Sequence, residues 1–485
     1  MRIVAVSDLH LTPTRITADR RGEVADLLLE RVVHRLNRWV KPDVVVILGD
    51  LVDAGESAEA PALWQRLREV SDRLECPSLV LPGNHDRDPK VFYRYFPDPG
   101  PVVELAGVRF LVFLDPEAPG WNAQRTPADL ARMAAARGHA GPVVMLQHCS
   151  LLPEGTSDCP YHYTNAAQIL AGMREHGIAL AISGHYHPGV DLVQGAAGSF
   201  AVAPALCEPP FAFLEVELDG DRVSVRRHAL RLPPEYGLVD SHVHTPFAYC
   251  AEDLDCGRAV SLAQEMGLGG LVFAEHSGQL YFDRETYRGG GFLACGIRTR
   301  RGRQERMADY LAAAGRHQPA REGLEVDCDH QGRPVLRASD RGQVAALVGA
   351  IHHLPEVEKP HPDPGRLAEQ YLAALARFAG SGIGVLAHPF RVFRRARAQV
   401  PEWLLAPTVR LLREHGVAAE INYHKQEPEE GLVRLCLKEG VRLALGSDAH
   451  ALYEVGELWP HLELLRRLGC EGAEVLAEIS VEGRA

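Results

Sequence analysis

The chain has 485 residues, of which 46% are hydrophobic and 24% are charged. This composition is that of an ordinary globular protein and excludes a fibrous or disordered chain, and the length suits three average domains or two larger ones. Lysine and arginine number 52 and acidic residues 64, which gives a net charge of −12. Such a balance argues against a large duplex-binding surface, but it leaves nucleotides and nucleic-acid ends open as substrates.

The ten cysteines are scattered, and no C-x-x-C pattern occurs among them. The first residues do not form a basic segment followed by a long apolar run, and no stretch approaches the roughly 18 apolar residues of a membrane span. We therefore expect free thiols, a cytoplasmic location and no membrane contact, while the oligomeric state stays open.

The first 230 residues alternate short apolar runs with helical patterns. Residues 23–39 have helical spacing, and strands are predicted over 2–7, 44–48, 79–81, 143–147, 180–183, 200–203, 211–218 and 223–227. Polar residues follow several of these runs at once. This pattern places them at the carboxyl ends of strands, where α/β proteins usually build sites.

A short segment at 231–236, which contains Pro233 and Pro234, is predicted to link two domains, 1–230 and 237–485. After it, strand-like runs at 271–273, 348–351, 384–387, 418–421 and 442–445 alternate with helical stretches. Repeated strand–helix units with polar strand ends predict a parallel, barrel-like second domain.

Chemistry-bearing fragments stand at the predicted strand ends of the first domain. They are Asp8-Leu-His10, Gly49-Asp50-Leu-Val-Asp53, Gly83-Asn84-His85-Asp86, Gln147-His148 and Gly184-His185-Tyr-His187. Two divalent cations about 3.5–4 Å apart need such a mixed set of carboxylate, amide and imidazole ligands, with one carboxylate able to bridge. Each fragment alone is common as a turn or a surface pair, whereas the ordered series indicates a two-metal site.

This half resembles the calcineurin-like metallophosphoesterase family, and within it the bacterial cyclic-nucleotide and glycerophosphodiester phosphodiesterases, over residues 1–230. The resemblance implies a β-sandwich flanked by helices (αββα). It also implies two metal sites, with the ligands Asp8, His10 and His187 in one, Asn84, His148 and His185 in the other, and Asp50 as the bridge. His85 would act beside the leaving group as general acid or transition-state stabiliser, oriented by Asp86. A structural hydrogen-bonding role for Asp53 stays open.

The second domain has a longer series of the same kind. Its fragments are Asp240-Ser-His242-Val-His244, Glu275-His276, Gly323-Leu-Glu325, His352-His353, His388-Pro389, Glu420-Ile-Asn422 and Gly446-Ser-Asp448-Ala-His450. An H-x-H at the end of a strand places two imidazoles on one face, because alternate residues of a strand share a side. The D-x-H near the end of the chain would close the same site in a barrel. His353 and Glu420 are equally consistent with surface or supporting positions.

This series resembles the polymerase-and-histidinol-phosphatase (PHP) family over residues 237–460, and His244-Thr-Pro-Phe247 resembles its histidinol-phosphatase branch. The resemblance implies a distorted (β/α)7 barrel with two or three metals. The implied ligands are His242, His244, Glu325 and Asp448 for the first metal, Glu325, His352 and His388 for the second, and His276, His450 and one loop histidine for the third. Cys250 stands where that loop histidine is expected, so the third site either has a thiolate ligand or is lost.

Arg391 follows His388 closely and is the predicted phosphate-binding residue, since a guanidinium can clamp phosphate through two hydrogen bonds. The leading hypothesis is a bifunctional metal-dependent phosphoesterase that acts on small phosphate esters or nucleotides. Mn, Fe or Zn suit the mixed ligands of both sites. The alternatives are an enzyme that processes nucleic-acid ends, and an active first domain joined to a degenerate or regulatory barrel. A barrel that hydrolyses bonds other than phosphate esters is a further alternative.

Overall fold

The structure, a computed structural model, describes residues 1–220, 222–470 and 476–477. The chain divides into two compact units, Met1–Arg231 and Leu232–Ala485. The segment predicted as a linker opens the second unit. In it the Leu232 amide donates to the Met266 carbonyl at 2.8 Å, and Pro234–Tyr236 form a 3-10 turn. None of the helices in the described part of the chain has the length and apolar character needed to cross a bilayer.

The first unit is a mixed α/β structure. Its strands are β1 (Arg2–Val6), β2 (Val44–Leu48), β3 (Ser78–Leu81), β4 (Val102–Leu105), β5 (Val108–Val112), β6 (Glu117–Ala118), β7 (Asn122–Ala123), β8 (Val143–Leu146), β9 (Leu180–Ser183), β10 (Val190–Gly195), β11 (Gly198–Val202), β12 (Ala212–Asp219) and β13 (Arg222–Ala229). Its helices are α1 (Ala25–Arg35), α2 (Ala60–Ser71), α3 (Pro89–Phe92), α4 (Pro127–Arg132) and α5 (Ala166–His176). Helical structure runs without a break from 22 to 40, because a 3-10 turn (Gly22–Val24) precedes α1 and a wider π turn (Leu36–Val40) continues it, so the helix predicted over 23–39 is confirmed.

Two sheets of the first unit pack face to face. One has the order β13-β12-β1-β2-β3 and the other β10-β11-β9-β8-β5-β4. One apolar core joins alternate residues of both sheets, for example Ile3 and Val46 from the first and Phe110 and Ile182 from the second. This shared core makes the unit a sandwich, because each sheet buries one face against the other.

The outer face of the second sheet is also covered. Leu111, Met145 and Phe200 pack there in a second core with Ile169 and Met173 of α5. Strands covered on both faces read as continuous apolar runs, which explains why β8 and β9 were readable from the sequence. The predicted α/β class is confirmed.

The second unit alternates strands and helices. Its strands are β14 (Val239–Val243), β15 (Gly270–His276), β16 (Arg321–Asp327), β17 (Ala346–Ala350), β18 (Val385–Leu386), β19 (Ala418–Asn422) and β20 (Leu443–Gly446). Its helices are α6 (Cys256–Glu265), α7 (Ser277–Tyr281), α8 (Arg284–Arg288), α9 (Met307–Ala314), α10 (Ala338–Arg341), α11 (Pro364–Ala379), α12 (Arg391–Arg395), α13 (Leu405–His415), α14 (Glu430–Glu439) and α15 (Trp459–Arg467).

These strands form one seven-stranded sheet in chain order, and every neighbouring pair is parallel. The two ends of the sheet meet. Val243 pairs with Ala449, and the Asp448 amide donates to the His242 carbonyl at 2.7 Å. The sheet therefore nearly closes into a parallel barrel, an architecture compatible with the predicted (β/α)7 barrel.

Candidate metal centres

The ligand candidates of the first unit lie at the carboxyl ends of parallel strands. Strands β1, β2 and β3 are parallel neighbours in one sheet, as are β8 and β9 in the other. The candidates follow these strands in turn: Asp8 and His10 after β1, Asp50 after β2, Asn84 after β3, His148 after β8, and His185 and His187 after β9. Because the two sheets face each other, both sets of strand ends meet at one edge of the sandwich.

Asp50 joins two groups of potential ligands at this edge. Its Oδ2 lies 3.6 Å from His10 Nε2 and 3.4 Å from His148 Nε2. One group is Asp8, His10 and His187 and another is Asp50, His148 and His185, with the ligand atoms of each group within 4.8 Å of one another. Asn84 Oδ1 lies 3.0 Å from His148 Nε2. A carboxylate shared by two ligand groups is the arrangement that two neighbouring cations need.

Each histidine of these groups is held through one ring nitrogen, so that the other nitrogen faces the site. The holding contacts are His10 Nδ1 to Asp53 Oδ1 at 3.1 Å, His187 Nδ1 to Glu208 Oε1 at 2.6 Å, His148 Nδ1 to the Leu48 carbonyl at 2.6 Å, and His185 Nε2 to the Trp121 carbonyl at 2.9 Å. Such partners fix the tautomer and the orientation that a metal-binding imidazole requires.

The free atoms of the cluster fit divalent cations. His10 Nε2 and Asp8 Oδ1 are buried without a hydrogen-bond partner among the described residues, a costly state that a bound cation would relieve. Burial opposes ionisation of Asp50, but the charges of His148 and His10 outweigh burial and hold the pKa of this carboxyl below its usual range. An ionised carboxylate among imidazoles is the form that binds a metal.

The backbone at these positions is held in an unusual conformation. Asp8, Asp50 and His185 have φ values of 54°, 51° and 70°, in the left-handed region that costs an ordinary residue about 1 kcal/mol or more. Gly83 allows the chain to pass close to this site, because a Cβ there would lie 2.2 Å from Asp50 Oδ1. Backbone strain of this kind collects at sites where function requires a particular side-chain direction.

The predicted relation between His85 and Asp86 is wrong. The Asp86 carboxylate is buried and accepts hydrogen bonds from the Leu51 amide at 3.1 Å, the Gly83 amide at 3.0 Å and Trp64 Nε1 at 3.1 Å. His85 is oriented instead by the Asp53 carbonyl, 2.7 Å from its Nδ1. The Asp86 carboxylate therefore links neighbouring loops, and among the described residues no hydrogen bond joins it to the His85 ring.

Several supporting residues were not found from the sequence. Glu208 and Trp121 hold two of the histidines, and Arg20 donates to Asp53 Oδ1 at 2.9 Å. The sequence left the role of Asp53 open, and in the structure its carboxylate accepts hydrogen bonds from both His10 and Arg20. Beside Asn84, His148 and His185 lies a cavity of about 550 Å³ whose wall includes the exposed Trp121.

The second unit gathers its ligand candidates at the carboxyl ends of the barrel strands. They are His242 and His244 at β14, His276 at β15, Glu325 at β16, His352 after β17, His388 after β18, and Asp448 and His450 after β20. All of them are buried. In a parallel barrel these strand ends form one face, which brings the fragments of this half together as predicted.

Glu325 lies at the centre of this cluster. Its Oε1 is 2.7 Å from His388 Nε2 and 3.1 Å from His352 Nε2, and its Oε2 contacts His276 Nδ1 and lies 3.8 Å from His242 Nε2. Burial opposes ionisation of Glu325, but the charges of His276 and His352 outweigh it and keep its pKa well below the usual range. One ionised carboxylate thus reaches imidazoles on both sides, as a bridging ligand would.

A second carboxylate, Asp448, completes the group that includes His242 and His244. Its Oδ1 lies 3.0 Å from His244 Nε2 and 3.7 Å from His242 Nε2. Buried carboxylates stand behind the imidazoles: Glu420 Oε1 is 2.9 Å from His242 Nδ1, and Asp327 Oδ1 is 2.9 Å from His352 Nδ1. Asp327 was not identified from the sequence, and Glu420 takes a supporting position, one of the alternatives left open.

Cys250 lies beside a third group of imidazoles, formed by His244, His276 and His450. Its Sγ is 3.6 Å from His276 Nε2. Cys250 is exposed as a residue, but the neighbouring side chains partly desolvate its thiol, which opposes ionisation; hydrogen bonds with His276 and His450 outweigh this effect and lower the pKa of Cys250 to about 4. A thiolate next to imidazoles is a good ligand set for zinc.

The two terminal nitrogens of the Arg391 guanidinium already have partners, whereas its Nε is buried without one among the described residues. Its guanidinium donates to Asp448 Oδ2 at 2.7 Å, to Asn422 Oδ1 at 2.9 Å and to the His424 carbonyl at 3.0 Å. These hydrogen bonds position Asp448, although Arg391 also lines a cavity of about 420 Å³ beside His276, His352 and His450. Its predicted contact with phosphate stays a prediction.

Comparison with known proteins finds similarity for the first unit. Residues 1–189 match the model of the calcineurin-like phosphoesterase family. A probable glycerophosphodiester phosphodiesterase of Arcobacter nitrofigilis is 33% identical over 86 residues, 18% of this chain and 30% of that protein. A glycerophosphodiester phosphodiesterase of Enterobacter lignolyticus is 29% identical over 191 residues, 36% of this chain and 66% of that protein.

A third relative is covered more fully. A probable cyclic nucleotide phosphodiesterase of Synechococcus is 25% identical over 234 residues, which are 46% of this chain and 89% of that protein. The chain spans less than two thirds of the length of the other two relatives. The matched region contains every ligand candidate of the first unit, and residues 1–189 therefore form a calcineurin-like phosphoesterase domain.

Proposed function

We propose that the first unit is a metal-dependent phosphoester hydrolase with two divalent cations. Asp8, His10 and His187 would hold one cation, Asn84, His148 and His185 the other, and Asp50 both. The observation that carries this proposal is the position of Asp50 between the two ligand groups. The similarity of residues 1–189 to phosphodiesterases supports a phosphate ester, diester or monoester, as the substrate.

Bound cations there would neutralise the phosphoryl oxygens as charge moves during displacement. In the overall reaction, a water oxygen forms the new bond to phosphorus, the bond from phosphorus to the alcohol oxygen breaks, and the alcohol leaves with a proton. His85 would supply that proton or stabilise the leaving oxygen, because it faces the ligand group from one side. Its ring centroid is 4.7 Å from that of His10, and the Asp53 carbonyl fixes its orientation.

The test compares the full chain with Asp50→Asn and with Asp72→Asn, an exposed carboxylate on the surface that serves as control. Metal content is measured by mass spectrometry, and hydrolysis of bis(4-nitrophenyl) phosphate is followed with Mn and with Zn. We expect Asp50→Asn to lose metal and most of the activity, and Asp72→Asn to match the unaltered chain. Full metal content and full activity in Asp50→Asn would contradict the proposal.

We further propose that the second unit, residues 237–485 after a connection at 231–236, is a PHP-type barrel that hydrolyses phosphomonoesters. Glu325 carries this proposal, since it contacts imidazoles on both sides of the cluster. His242, His244, Glu325 and Asp448 would hold one cation, Glu325, His352 and His388 a second, and His276, His450 and Cys250 a third. Mn, Fe or Zn suits these donors. A small phosphorylated molecule or nucleotide is the proposed substrate, and nucleic-acid ends are the alternative.

Asp448→Asn tests the barrel in the same way. We expect it to lower metal content and phosphate release from 4-nitrophenyl phosphate and to leave the diester activity of the first unit intact. If phosphate release is unchanged in Asp448→Asn, the barrel does not hydrolyse these phosphate esters and is a regulatory or degenerate module or a hydrolase of other bonds. Digestion of end-labelled single strands distinguishes the nucleic-acid alternative.

A further inference from the structure

The cavity beside the ligand cluster of the barrel has a strongly positive lining. Cationic side chains line it, namely those of Arg288, Arg391, Arg394, Arg395 and Lys425. Among the residues that the structure describes, no aspartate or glutamate lines this cavity. The chain as a whole carries a net charge of −12, so the excess of positive charge around this cavity is opposite in sign to the net charge of the protein.

Some of these cations have structural partners. Arg391 is engaged with Asp448, and Arg395 donates to the His352 carbonyl at 3.2 Å. Arg288 and Lys425 differ from them, since both are exposed and neither has an ion pair or side-chain hydrogen bond within 1–220, 222–470 and 476–477. They come from separate parts of the barrel, Arg288 from the end of α8 and Lys425 from the loop after β19.

A single phosphate does not account for this pair of cations. In the proposed function, cations held by the ligand cluster around Glu325 and Asp448 would balance the charge of the scissile phosphoryl group. Two further positive charges facing the same cavity repel each other and any ammonium group, and they attract a second anion. A substrate with an amine, such as an amino-alcohol phosphate, is therefore poorly matched to this wall.

We propose that the barrel site takes a phosphomonoester that carries a second anionic group, a carboxylate or another phosphate, and that Arg288 and Lys425 pair with that group. This inference rests on the proposed phosphomonoesterase function of the barrel and names its substrate class. In the hydrolysis, a water oxygen would form the new bond to phosphorus and the bond from phosphorus to the alcohol oxygen would break, so that inorganic phosphate is released and the second anionic group stays on the alcohol product.

The test uses a matched series on a carbon chain of three to five atoms: an alkyl phosphate, and the same compound ending in ammonium, in carboxylate or in a second phosphate. Phosphate release is measured with the full-length Asp50→Asn protein, so that the first unit does not contribute. We expect kcat/KM for the carboxylate or bisphosphate compound to exceed that for the plain alkyl phosphate by roughly tenfold or more, and the ammonium compound to be the poorest. Whichever of the two anionic compounds has the higher kcat/KM shows whether the second anionic group is a carboxylate or a phosphate.

The residues are tested by Arg288→Gln and Lys425→Gln, with Arg300→Gln as the control, an exposed arginine that does not line the cavity. The preference for the anionic compound over the plain phosphate should fall about tenfold in each of the first two variants and persist in the control. Equal rates for plain and anionic compounds would overturn the inference and leave the phosphomonoesterase intact.

If no compound is hydrolysed, the proposed barrel activity fails, and binding then decides the inference. Isothermal titration calorimetry with the carboxylate compound and with the bisphosphate should show that at least one of them binds the full chain, and that this binding weakens in Arg288→Gln and not in Arg300→Gln. Absence of binding by both compounds, or equal binding to both variants, would refute the inference.

Discussion

The carboxylate of Glu208 is expected to control metal binding in the first unit without touching the metal. Its Oε1 lies 2.6 Å from His187 Nδ1, and it therefore orients the imidazole whose Nε2 lies 3.6 Å from Asp8 Oδ1. Replacing it by Gln in the Glu208→Gln variant keeps the shape of the side chain and removes the charge. Loss of such a supporting contact typically costs 10–100-fold in metal affinity.

The lower end of this range applies to Glu208, because its side chain is 30% exposed and water competes for the imidazole. A tenfold loss corresponds to about 1.4 kcal/mol. The assay is metal content after dialysis against graded chelator, together with activity as a function of added Mn. We expect Glu208→Gln to release one cation at about tenfold lower chelator and to recover activity at high Mn.

The matched control is Glu217→Gln, an exposed carboxylate that pairs with Arg2 on the same unit. It should bind metal like the unaltered chain. The reasoning is refuted if Glu208→Gln keeps the metal affinity of the unaltered chain, or if its activity stays low at saturating Mn.

Three further predictions concern residues with clear structural roles. Asp86→Ala should lower the free energy of unfolding by about 3 kcal/mol in thermal and urea melts, because the substitution leaves the buried donors of Leu51, Gly83 and Trp64 without an acceptor. His85→Ala, in contrast, should leave the stability unchanged and reduce kcat by about 10²–10⁴-fold. If Asp86→Ala melts like the unaltered chain, Asp86 is not the loop contact described here. Gly83→Ala should reduce metal content and activity, since its Cβ would meet Asp50, and unchanged metal content would contradict this. Arg125→Met should destabilise the first unit by about 3–5 kcal/mol, because the buried Asp115 carboxylate loses its cation and keeps only the hydrogen bond from the Tyr163 hydroxyl, and a loss below about 1 kcal/mol in urea melts would count against that account.

Much of the fold was readable because covered strands carry continuous apolar runs. Strands β2, β8, β9 and β19 were found in this way, and polar residues directly after β2 and β8 marked the sites. Strand β16 was missed as a strand for the opposite reason. Its Glu325 and Asp327 contact the imidazoles of the candidate ligand cluster and stand where the hydrophobic pattern of a strand would require apolar residues. A strand that carries polar functional residues therefore lacks the continuous apolar run by which strands are recognised in a sequence.

The candidate ligands could be located from the sequence because metal chemistry uses few residue types and the fragments recur in order at strand ends. Their supporting residues could not. Glu208 and Trp121 lie far along the chain from the histidines they hold, and no local pattern connects a lone glutamate or a backbone carbonyl to an imidazole. The role given to Asp86 failed similarly, because sequence adjacency to His85 does not reveal that its side chain turns toward Leu51 and Trp64.

The central claim is that the chain carries two separate metal-dependent sites, and one panel tests it most directly. Phosphate mono- and diesters are assayed with Mn and with Zn on the unaltered chain, on Asp50→Asn and on Asp448→Asn. We predict that diester hydrolysis disappears with Asp50→Asn and persists in Asp448→Asn, and that Asp448→Asn lowers monoester hydrolysis, since each carboxylate belongs to a different cluster. If every activity depends on Asp50 and none on Asp448, the two-site account is contradicted.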